Sequence, residues 1–112
     1  MQREIKKYLF DILQFINSIQ EFTKEIKSYS EFKNNNVVFR AAERELEIIG
    51  KLINRIKKTD SNIVISNSSK IIALRNRLAH DYENINDDII WGIIKNHLSP
   101  LKSEIENLLT QP

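Results

Sequence analysis

Two interleaved heptad series run through residues 5–29, which read IKKYLFDILQFINSIQEFTKEIKSY. Isoleucine recurs at every seventh position, and an aromatic residue follows each isoleucine three positions later. The two series are Ile5, Ile12, Ile19 and Ile26, and Tyr8, Phe15, Phe22 and Tyr29. Apolar residues spaced by three and four positions lie along one side of an α-helix. We therefore predict a long amphipathic helix from about Gln2 to Ser28, packed against other helices or a second copy of the chain.

A second helix is predicted from about Val37 to Lys58, after a connector at residues 30–36 that contains one helical turn around Phe32. The three consecutive asparagines of the connector favour a turn and a helix cap. Gly50 lies inside this helix, where glycine costs about 1 kcal/mol relative to alanine. We therefore expect a neighbouring helix to approach Gly50 closely.

Residues 59–69 are predicted to form a loop whose apolar positions 63–65 fill a gap between helices. Ser68 or Ser69 is placed to cap a third helix. The predicted core residues of that helix are Ile71, Ile72, Leu74 and Leu78.

A fourth helix is predicted to begin after Asn86, a strong cap residue, with Asp87 and Asp88 complementing the helix dipole. Its inner face is predicted to contain Ile90, Trp91, Ile94 and Leu98. The helix should bend or restart near Ser99-Pro100, because proline favours the first turn of a helix. Residues 1–112 should thus form a single all-α domain, an antiparallel bundle of four main helices.

Composition excludes several classes of protein. The chain has no cysteine, so it has neither a disulfide framework nor a thiolate metal site. Its N-terminus is charged and no apolar run is long enough to span a bilayer, so we expect a soluble, cytoplasmic protein without a membrane partner. The net charge of +2 permits a polyanionic partner without indicating one.

The stretch richest in reactive groups is Arg75-Asn76-Arg77-Leu78-Ala79-His80-Asp81-Tyr82, at the end of the third predicted helix. In a helix Asn76 and His80 share a face and can hydrogen-bond, while Arg75 projects beside Asn76. A guanidinium binds phosphate and an imidazole can accept or donate a proton. These are the requirements for breaking an RNA phosphodiester by attack of its own 2′-hydroxyl, a scheme that needs no metal.

The same residue types also serve structural purposes. An arginine and a histidine at a helix end can cap carbonyls, or pair with Asp81 and the helix dipole. Arg77 is interpreted as a solvated or phosphate-steering charge, and His97 is remote in sequence and lacks a spaced partner for a metal site. One chain supplies one histidine where an acid and a base are both required, and a symmetric homodimer would supply the second.

Three blocks of the sequence resemble the HepT-like toxins of the HEPN superfamily. Arg75, His80 and Tyr82 match the family signature Arg-x4-His-x-Tyr. Residues 40–50, RAAERELEIIG, resemble the second-helix pattern of the family, and residues 90–94, IWGII, with residues 98–101, LSPL, resemble its last helix. The chain departs from the pattern after Gly50, where Lys51 and Leu52 follow in place of the common glutamate and alanine.

The resemblance implies a HEPN bundle that dimerises through the surface bearing the motif. It implies a metal-independent endoribonuclease, the toxin of a toxin-antitoxin pair, with Arg75 and His80 as the catalytic pair and Asn76 as the residue that orients them. It also implies a nucleotidyltransferase antitoxin that transfers AMP to Tyr82, and Tyr82 as a possible RNA contact. The alternative from a different class is a non-catalytic helical binding or regulatory subunit of a nucleotidyltransferase.

Overall fold

The computed structural model of the chain describes residues 1–80 and 87–111, with only the backbone of residues 79 and 80. Within these ranges the chain forms six α-helices and one short 3-10 helix. They are α1 (Arg3–Thr23), α2 (Tyr29–Asn34), α3 (Asn36–Thr59), the 3-10 helix (Ser66–Ser68), α4 (Ser69–His80), α5 (Asp87–Asn96) and α6 (Leu98–Thr110). No strand occurs in the described ranges, and the all-α prediction is confirmed. The four predicted main helices correspond to α1, α3, α4 and the pair formed by α5 and α6.

The isoleucine series of α1 lies at the centre of its buried face. Ile5, Ile12 and Ile19 are completely buried where α1 packs against α3 and α6. Tyr8 and Phe15 of the aromatic series are half-buried and flank this apolar stripe. Because burial of one such aliphatic side chain contributes about 1.5–3 kcal/mol, the isoleucines hold α1 in the bundle more than the aromatic residues do.

α1 ends at Thr23, five residues before the predicted end. The Thr23 hydroxyl donates to the Ile19 carbonyl at 2.6 Å, a local bond that competes with continuation of the helix. Ser28 then starts α2 separately, since its hydroxyl accepts from the Glu31 backbone N–H at 3.2 Å. The Glu31 carboxylate in turn accepts from the Lys27 backbone N–H at 3.1 Å. This reciprocal pair resembles a capping box and makes α2 an independent helix.

The predicted connector contains the predicted helical turn and the predicted cap. α2 surrounds Phe32, which is completely buried. The Asn35 side-chain oxygen then accepts from the Val38 backbone N–H at 3.1 Å and caps α3. An asparagine cap of this kind contributes about 1 kcal/mol to helix stability. The boundaries of α3, Asn36–Thr59, lie one residue beyond the predicted ones at each end.

α2 contacts the start of α5 through an aromatic pair and a hydrogen bond. The Phe32 ring stacks on the Trp91 ring with centroids 5.1 Å apart, and the Tyr29 hydroxyl donates to the Asp87 carboxylate. That hydrogen bond, together with burial and the nearby negative charges, raises the pKa of Tyr29 to about 12. The predicted Asn86 cap lies outside the described residues.

The segment before α4 is held by a carboxylate from α6. Glu104 accepts hydrogen bonds from the backbone N–H groups of Ser66 at 2.7 Å and Asn67 at 2.9 Å. The Ser68 hydroxyl donates to the Ile65 carbonyl at 2.7 Å, and Glu104 accepts the N–H groups at the start of the 3-10 helix that precedes α4. Of the predicted gap-filling residues 63–65, the first and third pack against the core, whereas Val64 is 70% exposed.

Replacing Glu104 with glutamine should destabilise the protein by about 1 kcal/mol, since charge-assisted hydrogen bonds to backbone N–H groups become neutral ones. Burial raises the pKa of the Glu104 carboxyl, but hydrogen bonds from Asn67 and Ser66 outweigh burial and leave the pKa below its ordinary value of 4.5. The stabilisation is therefore present above pH 4.5 and is lost as the pH falls through the lower, folded-state pKa. Urea denaturation of both proteins between pH 3 and pH 7, at about half-unit steps, measures their free energies of unfolding. Only the wild type should lose the contribution of the Glu104 carboxylate as the pH falls. Equal pH profiles would contradict the assignment.

The last predicted helix restarts as expected. α5 ends at Asn96, His97 has φ −120° and ψ −18°, and α6 begins at Leu98. Pro100 is then in the first turn of α6, where its missing N–H would have no helical partner. The break therefore falls just before the predicted Ser99-Pro100 signal.

The outer faces of the helices are polar. Exposed ion pairs such as Lys7 with Asp11, at 2.9 Å, contribute little to stability because water screens the two charges. Across residues 1–80 and 87–111, none of the helices has both the length and the apolar character needed to cross a membrane.

Candidate active site

α4 carries most of the predicted site. Ile71 and Leu74 are buried and fix its inner face, while Arg75 is half-buried and Asn76 is exposed. α4 is continuous to His80, so the four-residue spacing between Asn76 and His80 is a helical one. The His80 side chain and all of Tyr82 lie outside the described residues, and their contacts remain predictions.

The stem of Arg75 lies directly against α3. A Cβ atom placed on Gly50 would be 2.9 Å from the Arg75 Cβ and 3.2 Å from its Cγ. Real Cβ atoms essentially never approach another heavy atom as closely as 2.9 Å, so a side chain at position 50 would displace Arg75 or its helix. The predicted close approach at Gly50 is thus confirmed, and the neighbour is the predicted catalytic arginine. The absent side chain of Gly50 allows α3 and α4 to hold the first two carbons of Arg75 in place.

Arg75 lines a strongly cationic pocket between α3 and α4. The pocket has a volume of about 330 Å³ and is lined by Lys51, Asn54, Arg55, Lys58 and Arg75. Four of these five side chains carry a positive charge. The spacing of positions 51, 55 and 58 by four and three residues was a usable signal, because such residues share a helix face. These residues were not predicted as part of the site, because they also fit an ordinary solvated helix face.

A second pocket lies on the other side of α4, against α5. Its volume is also about 330 Å³, and its lining includes Lys70, Arg77, Gly92, Asn96 and His97. Arg75 and Arg77 therefore face different pockets although they are two residues apart. His97 is remote from the motif in sequence, but the fold places it in the same pocket as Arg77.

The arrangement can hold an anion. Guanidinium and ammonium groups converge beside Arg75, and the guanidinium can bind two oxygens of one phosphate. In the described ranges, no three or more histidine, cysteine, aspartate or glutamate side chains lie together as candidate metal ligands. The described side chains that line the pocket can supply positive charge to such an anion.

The chain is similar over nearly its whole length to proteins named as ribonucleases. The sequence profile of the family described as "Ribonuclease HepT-like" matches residues 12–108. A Methanocaldococcus jannaschii protein named "Putative RNase" is 37% identical over 107 residues, covering 94% of this chain and 96% of that protein. "Probable ribonuclease HepT" of Thermococcus cleftensis is 31% identical over 112 residues, covering 96% of this chain and 98% of that protein. No solved structure matches the chain significantly.

Proposed function

Because this chain belongs to the HepT-like ribonuclease family, we propose that it is a metal-independent endoribonuclease with Arg75 and His80 as its catalytic pair. The observation that carries the proposal is the position of Arg75. Its stem is held against Gly50 and its side chain lines a pocket of cations, an arrangement suited to a phosphodiester. A fixed cation lowers the barrier to reaction because it need not reorganise as negative charge develops on the phosphate.

The proposed reaction breaks one bond and forms another at phosphorus. The 2′-oxygen of the ribose attacks, its proton passes to a base, and the P–O bond to the next nucleotide breaks. The departing 5′-oxygen takes a proton, leaving a 2′,3′-cyclic phosphate and a 5′-hydroxyl. His80 transfers protons, Arg75 stabilises the equatorial oxygens, and Asn76 orients the imidazole through the four-residue helical spacing.

A single imidazole cannot be protonated and deprotonated at once. We assign the second proton-transfer group to His80 of a symmetric partner, which makes the site a composite of two chains. The homodimer contacts through the surface that bears the motif, so α4 supplies both the catalytic residues and part of the interface. This is why the isolated chain contains half of the proposed site.

Circular RNA tests the proposed activity most simply, since it has no ends for an exonuclease. The purified wild-type protein, with Tyr82 unmodified, should linearise circular RNA in excess EDTA. Cleavage that appears only after a divalent cation is added would remove the metal-independent part of the proposal. Intact RNA under both conditions would favour the non-catalytic regulatory subunit.

The cellular role that we propose is the one implied by the resemblance to the HepT-like toxins. We assign the chain to a toxin-antitoxin system in the cytoplasm, with a nucleotidyltransferase antitoxin that transfers AMP to Tyr82. The added phosphate would bring negative charge and bulk near Arg75 and block RNA binding.

Co-production with the nucleotidyltransferase should therefore increase the mass of the wild-type chain by one or more AMP units. Peptide mapping should place them on Tyr82, and the modified protein should no longer cleave RNA. Tyr82→Phe keeps the ring and removes the acceptor hydroxyl, so its mass should not change. AMP found on another residue, or an active modified protein, would contradict this mode of inhibition.

A further inference from the structure

We propose that the pocket lined by Lys51, Asn54, Arg55 and Lys58 binds a backbone phosphate of the RNA next to the phosphate that is cleaved. This inference rests on the proposed function, because it assigns part of the substrate to a surface beside Arg75. It adds residues of α3 to a site that the motif on α4 alone does not define.

The three cations of α3 form one stripe that leads to Arg75. Positions 51, 55 and 58 are separated by four and three residues, which places them on one side of the helix. Seven residues of helix span about 10 Å, so the stripe is longer than a single ammonium contact. Arg75 lines the same pocket from α4. A strand whose reacting phosphate lies at Arg75 would therefore pass a further phosphate along α3.

The charges of α3 are segregated along its length. Residues 40–47 contain three glutamates and two arginines, whereas residues 51–59 contain four cations and no carboxylate. Of the ion pairs between described residues, one involves a pocket cation, Lys51 with Glu47 at 3.6 Å. Both partners are substantially exposed, so the pair is weak and can be exchanged for a stronger anionic ligand.

Packing does not explain the cations of the pocket. Lys51, Arg55 and Lys58 are exposed, and like charges gathered around one pocket repel each other. Basic residues in the last turn of a helix do complement its dipole, and Lys57 and Lys58 both have that position. Lys57, however, is not among the residues that line the pocket, and the dipole does not account for Lys51 or Arg55.

The lining selects phosphate over base. The described residues that line the pocket supply ammonium and guanidinium donors and one amide, and none of them has an aromatic side chain on which a base could stack. Contacts to phosphate fix the register of a nucleic acid without reading its sequence. The subsite should therefore strengthen binding of all RNA sequences about equally.

The test measures RNA affinity at several salt concentrations with proteins that bind RNA but do not cut it. In a His80→Ala background, the dissociation constant of a single-stranded RNA is measured by fluorescence anisotropy from 50 mM to 500 mM salt, about a tenfold range. Each phosphate contact of a single strand contributes about 0.7 to the slope of log affinity against log salt. Loss of one phosphate contact in Lys51→Ala with Lys58→Ala should lower the slope by about 0.7. Over a tenfold range of salt concentration this slope change corresponds to roughly fivefold weaker binding at the low-salt end.

Lys57→Ala is the control for the adjacent Lys58→Ala, since each removes one positive charge from the same exposed end of α3 and only Lys58 lines the pocket. The salt slope of Lys57→Ala should equal that of the His80→Ala parent. The double variant should lose the same factor in affinity for two RNAs of different base composition. A double variant with the parental slope would overturn the subsite, as would a loss equal to that of Lys57→Ala. A change in oligomeric state without a change in slope would also overturn it and assign the pocket to a protein contact.

Failure of the subsite and failure of the proposed function give different results. If the wild type cuts circular RNA and the pocket variants retain the parental salt slope, only the subsite is wrong. If the wild type does not cut RNA, the proposed function falls whatever the slopes are. Circular dichroism melting of each variant checks that these exposed substitutions leave the fold intact.

Discussion

His80→Ala is expected to lower the rate of RNA cleavage by about 10²-fold to 10⁴-fold, the range for loss of a general acid or base. Alanine cannot transfer a proton to or from the reacting oxygens, and in a homodimer the substitution removes both imidazoles of the composite site. The rate is measured with a labelled RNA in excess EDTA, below the melting temperature of each protein. RNA affinity should change far less than the rate, since imidazole acts mainly in the transition state.

The second histidine of the chain provides the control. His97→Ala removes an imidazole from the pocket between α4 and α5, where no step of the proposed reaction takes place. Its cleavage rate should stay near that of the wild type. Comparable losses for both variants would indicate a general structural effect, and an active His80→Ala protein would remove His80 from the catalytic pair.

Gly50→Ala is expected to lower cleavage by about tenfold or more, because small displacements of a catalytic group have large effects on rate. The new methyl group would lie 2.9 Å from the Arg75 Cβ, so Arg75 or the α3–α4 contact must shift. Overpacking should also destabilise the fold by about 1–3 kcal/mol, partly offset by the better helix propensity of alanine. Steady-state kinetics and urea denaturation measure the two effects separately.

Gly92→Ala is the control that replaces a helical glycine without crowding a neighbouring side chain. A Cβ atom at Gly92 would meet nothing within 4 Å, so the fold should keep its stability or gain up to about 1 kcal/mol, with unchanged cleavage. Combining Gly50→Ala with Arg75→Ala should cost little more activity than Arg75→Ala alone if Gly50 acts through Arg75. Full additivity of the two losses would show that Gly50 affects the reaction by another route.

The helices could be predicted because their signals are local. Apolar spacing identified α1 and α3, and the asparagine cap placed the start of α3 within one residue. The end of α1 was misplaced because the heptad series continues through Tyr29 and hides two local signals. These are the bond from Thr23 to Ile19 and the serine-glutamate pair that begins α2.

The site could be predicted only in part, because it combines a contiguous motif with residues from a distant helix. Arg75 and Asn76 are recognisable in one short stretch, and the need for space at Gly50 could be inferred from the cost of a helical glycine. The packing of α3 against α4 places Arg75 in this space and brings Lys51 and Lys58 beside it. The sequence alone does not specify that packing, and for the same reason the proximity of Arg77 and His97 was missed.

The most direct test of the proposed catalytic pair is the chemistry of the RNA ends after cleavage by the wild-type protein in excess EDTA. Attack by the 2′-hydroxyl, assisted by His80 and Arg75, predicts a 2′,3′-cyclic phosphate on one fragment and a 5′-hydroxyl on the other. RNA in which every 2′-hydroxyl is methylated should remain uncut. Fragments with a 5′-phosphate, or cleavage of the methylated RNA, would contradict this mechanism.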